Sequence, residues 1–387
     1  MRIAYVSIDP GIPVFGTKGA SVHVQEVVRE LLARGHEVTV WTTRRGDRPP
    51  ADLAGLPVVE LPMTAPEEAG PASGAEDAER RERAQRRASD EVVRRLLADG
   101  VDLVYERYSL FSTVLARLHE AAATPGVLEV NAPLVDEQRA HRLLVDEAGA
   151  LAALRAQTGA AAATVCVSEP VRRWVLARTG AARVSTVPNG VDVRRIVPAP
   201  PGPGVPVVVF VGTLKPWHGV EDLLRAASLA REPWRLRIIG DGPRRAGLEE
   251  LAGRLVLRVD FRGPVAPEDV PAHLAGAAIG AAPYPRTDDE DDQYFSPLKV
   301  YEYLAAGLPV VASRTGQLPE VLEGLGVLVP PSDPAALAAA IDALAADPAR
   351  RAALSRAGRA RAVARHSWAD VVGRIMRLAG VAEAGHG

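Results

Sequence analysis

The chain has 387 residues, which is long for one domain and sufficient for two domains that each bury a core. Hydrophobic residues make up 47% of the chain, but no apolar run reaches the roughly 18 residues that a membrane-spanning helix needs. No signal-peptide pattern precedes the first apolar run, so we expect a cytoplasmic protein. A formal net charge of −2 gives no basis for nucleic-acid binding, and a single cysteine, Cys166, excludes a disulfide framework and a cysteine zinc site.

Short β-branched runs alternate with helical patterns from the first residue, which is typical of a doubly wound parallel sheet. The helical pattern 21–34 ends at Gly35, and a long charged helix is predicted over 78–98. These elements indicate one Rossmann-like α/β domain. Its predicted strands are residues 3–8, 37–43, 101–106, 127–130, 164–168 and 185–187.

The charged helix has two interpretations. Residues 79–95 carry seven arginines against four acidic residues, a composition that a helix lying on a membrane surface also has. Its apolar positions are only Val92, Val93, Leu96 and Leu97, near its C-terminal end. This thin apolar face favours a solvated helix over membrane association.

A stretch rich in proline and glycine, residues 197–206, separates the two halves and cannot support a regular element. The alternation of strands and helices then restarts, which indicates a second Rossmann-like unit followed by a helical tail. We therefore predict domains over 1–197 and 198–365, with a C-terminal helix, 366–387, that crosses back to the first domain. The strands predicted for the second domain are residues 207–212, 235–240, 258–263, 278–283, 309–313 and 326–329.

The first strand leads into the glycine-rich loop 9–21, which contains Lys18 and Gly19 and ends at a helix start. Such a loop leaves backbone N–H groups and a helix dipole free to meet anionic oxygens, and Lys18 adds a point charge. A tight turn without a ligand explains the loop equally well. The G-x-G-x-x-G fingerprint is not met, which disfavours a dehydrogenase.

The second domain opens with the same anion-binding layout over residues 210–220. Gly212 ends the predicted strand, and Lys215 and His218 are two potential cations before the next helix. Gly240 ends a further strand, where a flat base can lie against bare backbone.

The stretch 294–309 is the most informative. Ser296 is placed to cap a helix beginning at Pro297, so that the helix N-terminus and Lys299 together face a diphosphate. Glu302 lies one turn further on the same face among apolar neighbours, where the hydroxyls of a ribose would satisfy its carboxylate. The alternative is an ion pair within the helix between Lys299 and Glu302.

The three lysines of the chain, Lys18, Lys215 and Lys299, all fall in these three segments, and every other basic residue is arginine. A compact ammonium suits a phosphate that approaches the backbone closely. The coincidence therefore favours phosphate binding, with chance as the alternative.

Taken together, these motifs resemble the family 4 retaining glycosyltransferases of the GT-B fold, in which two Rossmann-like domains face a central cleft. The resemblance implies that the first domain binds the acceptor and the second a UDP- or GDP-sugar, with neither a metal nor a cofactor. The motifs follow the family's order through nearly the whole chain, at residues 19–20, 34–38, 187–192, 240–243, 302–313, 318–321 and 367–368.

Carried over by position, the resemblance assigns Glu302 to the ribose and backbone at Val265 to the base. The implied donor-binding residues are Gly19, Gly212, Thr213, Lys215, Gly240, Val265, Ser296, Pro297, Leu298, Lys299, Glu302 and Gly316. The candidate catalytic residues are Lys299, Lys215, His218, Glu129 and Asn131. The candidate acceptor contacts are Lys18, His23 and Arg107.

The sequence departs from the family pattern at several positions. Thr213 and His218 stand where the family commonly has an arginine and a lysine that clamp the diphosphate, and Lys215 is the candidate substitute. Tyr294 stands where the first of two paired glutamates is usual. The acidic run 288–292 is near enough to supply a carboxylate, with a solvated loop as the alternative. The histidine that family members often carry near the reacting centre of the first domain is missing.

For such enzymes the family implies departure of the diphosphate and attack from the same face, with the leaving phosphate accepting the proton of the acceptor. The expected acceptor is a small molecule or a glycan or lipid-linked acceptor. Two alternatives stay open. A nucleotide-sugar epimerase shares this shape, although no convincing acid/base pair is present, and the departures at Thr213 and Tyr294 also fit a catalytically weak nucleotide-sugar-binding partner subunit.

Overall fold

The structure is a computed structural model that describes residues 1–61, 63, 74–288 and 293–381. The chain divides into two compact units. Unit 1 comprises Met1–Pro188 together with Val371–Gly387, and unit 2 comprises Asn189–Asp370. Each unit has its own parallel sheet with helices packed on it.

The described part of unit 1 contains a seven-stranded sheet in the order β3-β2-β1-β4-β5-β6-β7. The strands are β1 (Arg2–Ser7), β2 (Glu37–Thr42), β3 (Val58–Glu60), β4 (Leu103–Arg107), β5 (Gly126–Val130), β6 (Ala163–Cys166) and β7 (Val184–Thr186). The helices are α1 (Gly19–Ala33), α2 (Gly74–Asp99), α3 (Val114–Ala122), α4 (Leu134–His141), α5 (Glu147–Ala160) and α6 (Glu169–Thr179), with a 3₁₀ turn at Ala51–Leu53. The central strands β4 and β5 are buried along their whole length because helices cover both faces of the sheet.

The described part of unit 2 contains a six-stranded sheet in the order β10-β9-β8-β11-β12-β13. The strands are β8 (Val207–Val211), β9 (Arg235–Ile239), β10 (Val259–Gly263), β11 (Ile279–Ala282), β12 (Val310–Ser313) and β13 (Gly326–Val329). The helices are α7 (Val220–Ser228), α8 (Arg245–Arg254), α9 (Val270–Leu274), α10 (Leu298–Ala305), α11 (Leu318–Val321), α12 (Pro334–Ala346) and α13 (Pro348–Arg365), with a 3₁₀ turn at Pro216–His218. The last helix, α14 (Trp368–Leu378), begins in unit 2 and continues into unit 1.

The division between the units lies closer to the N-terminus than the proline-rich stretch from which a boundary after Val197 was predicted. Val191 and Ile196 are buried in the core of unit 2. Val191 N–H donates to the carbonyl of His366 (2.7 Å), and Trp368 N–H donates back to the carbonyl of Val191 (3.2 Å). The segment before the proline-rich stretch thus packs with unit 2, which composition alone does not reveal.

The predicted strands lie within a few residues of the observed ones, but β3 was not predicted. It is a three-residue edge strand with no fully buried residue, so it carries neither an apolar run nor an alternating pattern.

In α2, Val92, Val93 and Leu96 are at most 1% exposed, so these apolar side chains pack inside unit 1 and are not available to a membrane. Among the described residues, no helix has both the length and the apolar character needed to span a bilayer.

Candidate functional site

The candidate donor site lies at the carboxyl ends of the strands of unit 2. The strand order reverses at β8, which pairs with β9 on one side and β11 on the other. In open α/β sheets ligands bind in the crevice at such a reversal. Gly212 follows β8, Gly240 follows β9, and α10 begins after the loop that leaves β11.

Two glycines bring the backbone of this crevice unusually close together. Gly240 has a φ of 136°, and a Cβ added there would lie 2.0 Å from the carbonyl oxygen of Gly212. Gly212 has a φ of 144°, and its added Cβ would lie 3.2 Å from Nζ of Lys299. Because neither residue has a side chain, the two loops pack closely together beside the Lys299 ammonium.

Tyr303 fixes α10 over the crevice. Its hydroxyl accepts a hydrogen bond from Val211 N–H (2.8 Å) and donates to the carbonyl of Ala281 (3.3 Å), so it joins the ends of β8 and β11. Its ring fills the space over Gly280, where an added Cβ would lie 2.5 Å from the ring. The helix that carries Lys299 is therefore held to the sheet by a buried side chain.

Lys299 is a buried cation without a counter-ion in hydrogen-bonding contact. It is 7% exposed, and Nζ has no hydrogen-bond partner among the described residues. The ammonium lies over the ring of Phe210 (4.3 Å to the centroid) and the ring of Tyr284 (4.9 Å). Burial lowers the pKa of Lys299 to about 7, against a smaller opposing effect of Glu302. An anionic oxygen would satisfy this group, since an unpaired buried ammonium is costly.

The structure also places the other residues predicted around Lys299. Glu302 is half-buried one turn further along α10, and Nζ of Lys299 has no hydrogen bond to it or to any other residue that the structure describes. Val265 follows β10 and packs on the core of unit 2. Gly316 follows β12 with a φ of 52°, and a Cβ there would lie 2.7 Å from the carbonyl oxygen of Gln293.

Ser296 does not cap α10, so the predicted capping role is wrong. The helix begins at Leu298 with Pro297 in the cap position, and no side-chain cap is formed. The Ser296 hydroxyl instead accepts a hydrogen bond from Asn189 N–H (3.0 Å), which ties the start of unit 2 to the loop before α10. This contact depends on a distant part of the chain, so local sequence does not predict it.

The loop after β8 presents one cation and not the two that were predicted. Lys215 lies over the ring of Trp217 (4.5 Å to the centroid), and Thr213 is exposed. Nδ1 of His218 is hydrogen-bonded to the carbonyl of Thr213. Burial, followed by the charge of Lys299, lowers the pKa of His218 to about 3, so this ring is neutral at pH 7.

In unit 1 the glycine-rich loop between β1 and α1 is held in place by hydrogen bonds from a side chain of α1. The side-chain amide of Gln25 donates to the carbonyls of Val14 (2.9 Å) and Gly16 (3.1 Å). Lys18 occupies the N-cap position of α1 without a side-chain cap, and both Lys18 and Gly19 are exposed. The loop is thus fixed, with its cation open to solvent.

A second buried polar cluster lies in unit 1, where the strand order reverses at β1. Nε2 of His23 lies 2.9 Å from each carboxylate oxygen of Glu129, and the hydroxyl of Tyr105 donates to one of them (3.0 Å). Nη1 of Arg107 lies 4.0 Å from the other oxygen and has no hydrogen-bond partner among the described residues. The ring of Tyr5 stacks on Tyr105 at 5.3 Å.

The carboxylate of Glu129 is ionised in this cluster. Burial raises its pKa, and His23, Arg107 and the Tyr105 hydroxyl together outweigh that effect, so that the pKa lies below its usual value. Both oxygens of Glu129 are occupied by these neighbours. Direct catalysis by Glu129 therefore stays a prediction, and so does the role of Asn131, whose Oδ1 is buried without a partner in the described part of the chain.

Comparison with known proteins decides the family. A family model described as Glycosyltransferase Family 4 matches residues 17–195, and one described as Glycosyl transferases group 1 matches residues 205–347. The chain belongs to glycosyltransferase family 4. A relative from Kineococcus radiotolerans, described as a D-inositol 3-phosphate glycosyltransferase, is 30% identical over 92% of this chain and 90% of its own length.

Other family 4 relatives match only part of their length. A phosphatidyl-myo-inositol mannosyltransferase from Mycobacterium leprae is 35% identical, and the match covers 55% of this chain and 58% of that relative. A GDP-mannose-dependent mannosyltransferase from Corynebacterium glutamicum is 32% identical over 50% of this chain and 55% of its own length. The chain thus spans somewhat more than half the length of these relatives.

Solved structures confirm the predicted GT-B type of fold with two Rossmann-like units. Sucrose-phosphate synthase from Thermosynechococcus elongatus has a TM-score of 0.71 at 23% identity and covers 97% of this chain and 98% of its own. Anabaena HepE in complex with UDP and glucose has a TM-score of 0.71 at 19% identity and covers 99% of this chain and 100% of its own.

Sequence reasoning did not find the aromatic residues of this family 4 chain that hold the polar groups in place. Phe210 and Tyr284 enclose Lys299, Tyr303 anchors α10, and Tyr105 binds Glu129. In sequence they are indistinguishable from core residues. One signal was present for Tyr284, which lies between two prolines just after the carboxyl end of a predicted strand, whereas Phe210 lies within a predicted strand, two residues before Gly212.

Proposed function

We propose that this protein is a retaining glycosyltransferase that moves a sugar from a nucleoside diphosphate sugar to a hydroxyl-bearing acceptor. The observation that carries the proposal is the buried Lys299 ammonium, which lies beside the bare backbone of Gly212 at the strand reversal of unit 2. A diphosphate is the ligand class that supplies several anionic oxygens to such a group at once.

The donor would bind with its diphosphate at Lys299 and Gly212. Its ribose would reach Glu302, one turn further along α10, and its base would lie near Gly240 and Val265. This order follows the strand order β11, β8, β9, β10 across the sheet. Lys215 and Lys299 are two of the cations that lie after the strands of this crevice.

The chemistry that such a site supports is departure of the diphosphate. As the bond between the anomeric carbon and the phosphate oxygen breaks, negative charge grows on that oxygen, and Lys299 stabilises it in a low-dielectric setting. The acceptor oxygen forms the new bond from the same face. Its proton passes to the departing phosphate oxygen, so the step needs no protein base.

The names of relatives narrow the choice of donor and acceptor. The Corynebacterium relative is described as GDP-mannose-dependent, and HepE was crystallised with UDP and glucose. Two relatives are described by inositol-containing acceptors. We therefore propose a UDP- or GDP-hexose as donor and a polyol, glycan or lipid-linked hydroxyl as acceptor.

The test is a donor screen with the full chain. UDP, GDP, UDP-glucose, UDP-galactose and GDP-mannose are compared by thermal shift, because a ligand that binds only the folded state stabilises it by mass action. The best donor is then incubated with myo-inositol, D-inositol 3-phosphate and phosphatidylinositol vesicles. We expect one donor class to raise the melting temperature of wild type and of His119→Phe, a control on the exposed face of α3, and to raise that of Lys299→Ala by less.

NMR of the product decides the stereochemistry. Retention of the anomeric configuration of the donor supports the proposal, and inversion overturns it. Sugar transfer by Lys299→Ala at the wild-type rate would show that the reaction uses another site. Interconversion of the donor sugar without transfer would identify an epimerase.

A further inference from the structure

His218 shares an aromatic enclosure with Lys299. Its ring lies 6.1 Å from that of Phe210 and 6.0 Å from that of Tyr284, centroid to centroid. The Lys299 ammonium lies over the same two rings at 4.3 and 4.9 Å. The imidazole is therefore a neighbour of the cation to which we assign the diphosphate.

The position of the proton on this imidazole follows from the hydrogen bond at Nδ1. Nδ1 meets the carbonyl oxygen of Thr213, and a carbonyl oxygen only accepts, so Nδ1 carries the proton. Burial and the positive charges of Lys299 and Lys215 disfavour a second proton, and the pKa of the ring is lowered to about 3. In a neutral imidazole with the proton on Nδ1, the other nitrogen, Nε2, is an acceptor.

Nε2 is available to a ligand. The ring is half-buried, and no described residue forms a hydrogen bond with Nε2. An ionised phosphate oxygen is itself an acceptor, so it cannot bond to this atom. The group that meets Nε2 must bring an O–H or N–H donor.

We propose that Nε2 of His218 accepts a hydrogen bond from a hydroxyl group of the transferred sugar, which makes His218 a specificity-determining residue. The inference rests on the proposed function. With the diphosphate at Lys299 and the ribose toward Glu302, the hydroxyls that lie next to the diphosphate on its other side belong to the sugar. His218 thus reads the sugar, and the charge of the diphosphate is left to the lysines.

The experiment measures donor binding by calorimetry with the full chain. The probes are UDP-glucose or GDP-mannose, whichever stabilises the protein more, its monodeoxy-sugar analogues, and the matching nucleoside diphosphate. The variants are His218→Phe, which removes the acceptor, His218→Gln, whose side-chain oxygen can replace it, and His119→Phe as the control.

We expect wild type, His119→Phe and His218→Gln to bind one monodeoxy donor about fivefold to tenfold more weakly than the parent donor, the scale of one hydrogen bond. His218→Phe should bind the parent donor weakly and not distinguish that analogue from it. The nucleoside diphosphate alone should bind all four proteins alike.

Two results overturn the inference while the proposed function stands. One is an equal loss for the bare nucleoside diphosphate in His218→Phe, which would place the contact on the diphosphate. The other is a His218→Phe variant that binds the parent donor and every deoxy donor as wild type does, even if its KM for the acceptor rises. Absence of binding by any nucleotide overturns the proposed function itself.

Discussion

At the scale of single residues, Lys299 and Glu302 lie on one helix but act at different stages of the proposed reaction. Lys299 faces charge that grows as the diphosphate leaves, so Lys299→Ala should lower kcat by on the order of 10²-fold, about 3 kcal/mol. Glu302 would hold a ribose that does not change, so Glu302→Gln should raise the donor KM about tenfold with kcat nearly intact. Steady-state kinetics with the best donor tests both.

A role limited to mutual pairing predicts another outcome for these two residues. Each single variant would then lose a similar, small amount of activity and of thermal stability, and the double variant would lose little more. Nζ of Lys299 has no hydrogen-bond partner among the described residues, so no hydrogen bond joins it to Glu302. Equal small losses in both single variants would contradict the assignment of donor contacts to α10.

Burial of Lys299 also makes the stability of the protein depend on pH. Its pKa is lowered from 10.5 to about 7 in the folded protein, so between these values the unfolded chain binds more protons and stability rises with pH. The penalty is fully present below pH 7 and disappears toward pH 10.5. Lys299→Met should therefore raise the melting temperature at pH 6 by more than at pH 9.5, by roughly 2–4 °C for each kcal/mol removed.

Calorimetry at the two pH values checks this expectation, with Lys18→Met as the control, because Lys18 is exposed. A difference between Lys299→Met and wild type that is the same at both pH values would show that the amine of Lys299 is solvated. If Lys299→Met were less stable than wild type at pH 6, the result would show that the amine of Lys299 has a counter-ion in the absence of any ligand.

The sequence predicts the positions of those crevice residues that lie where a strand ends or a helix begins. Gly212 and Gly240 end strands, and Lys299 follows the start of a helix, so a strand–loop–helix pattern is enough to place them. The charge state of His218 could not be predicted, because it depends on Lys299, on the carbonyl of Thr213 and on burial. The partners of Glu129 were likewise hidden, since they come from α1 and β4.

At the scale of elements, the position of α10 over the sheet depends on Tyr303. In Tyr303→Phe the N–H of Val211 loses its acceptor at the point where β8 and β11 separate. A buried donor left unpaired costs roughly 1–3 kcal/mol, so the variant should unfold at lower denaturant concentration. Because α10 carries Lys299, kcat should fall as well, with a smaller change in the donor KM.

Tyr5→Phe is the matched control for this experiment. Tyr5 is as completely buried as Tyr303, but its hydroxyl has no hydrogen-bond partner among the described residues. Its removal should leave stability unchanged or slightly higher. If the two variants were destabilised equally, the loss would reflect the packing of any buried tyrosine and not the link between the strands.

Elements differ in how far the sequence predicts them. The apolar residues 103–105 of β4 and 127–128 of β5 indicate central strands by themselves, because both faces of a parallel sheet are covered. The start of α10 was misplaced because Ser296 is locally suited to a cap, whereas its hydroxyl binds Asn189, over a hundred residues earlier in the chain. Tertiary contacts override local propensity at such positions.

At the scale of the whole molecule, all residues proposed to contact the donor except Gly19 belong to unit 2. The packing of unit 2 indicates where it can be cut. A fragment beginning at Val205 lacks Val191 and Ile196, which are buried in the core. It also lacks the carbonyls of residues 193 and 196, to which Arg359 donates at 2.9 and 2.8 Å.

We therefore expect a fragment of residues 189–370 to fold and to bind the nucleoside diphosphate within about threefold of the full chain, a difference below roughly 1 kcal/mol. A fragment of residues 205–370 should be much less stable, because the loss of two buried aliphatic side chains alone costs several kcal/mol, of the order of 2–5 for each. Neither fragment should transfer sugar. Calorimetric titration with UDP and GDP measures the affinity, and urea unfolding measures the stability.

Hydrogen exchange on the full chain gives the same test without truncation. A nucleoside diphosphate held by Lys299, Gly212 and Gly240 should slow exchange in residues 210–219, 240–243 and 296–303, and leave β1 and β4 at their ligand-free rates. β1 contributes Tyr5, and β4 contributes Tyr105 and Arg107, to the cluster around His23 and Glu129 in unit 1, which we assign to the acceptor. Protection confined to unit 1 would reverse the two assignments, because the buried ammonium of Lys299 would then have no part in binding the donor.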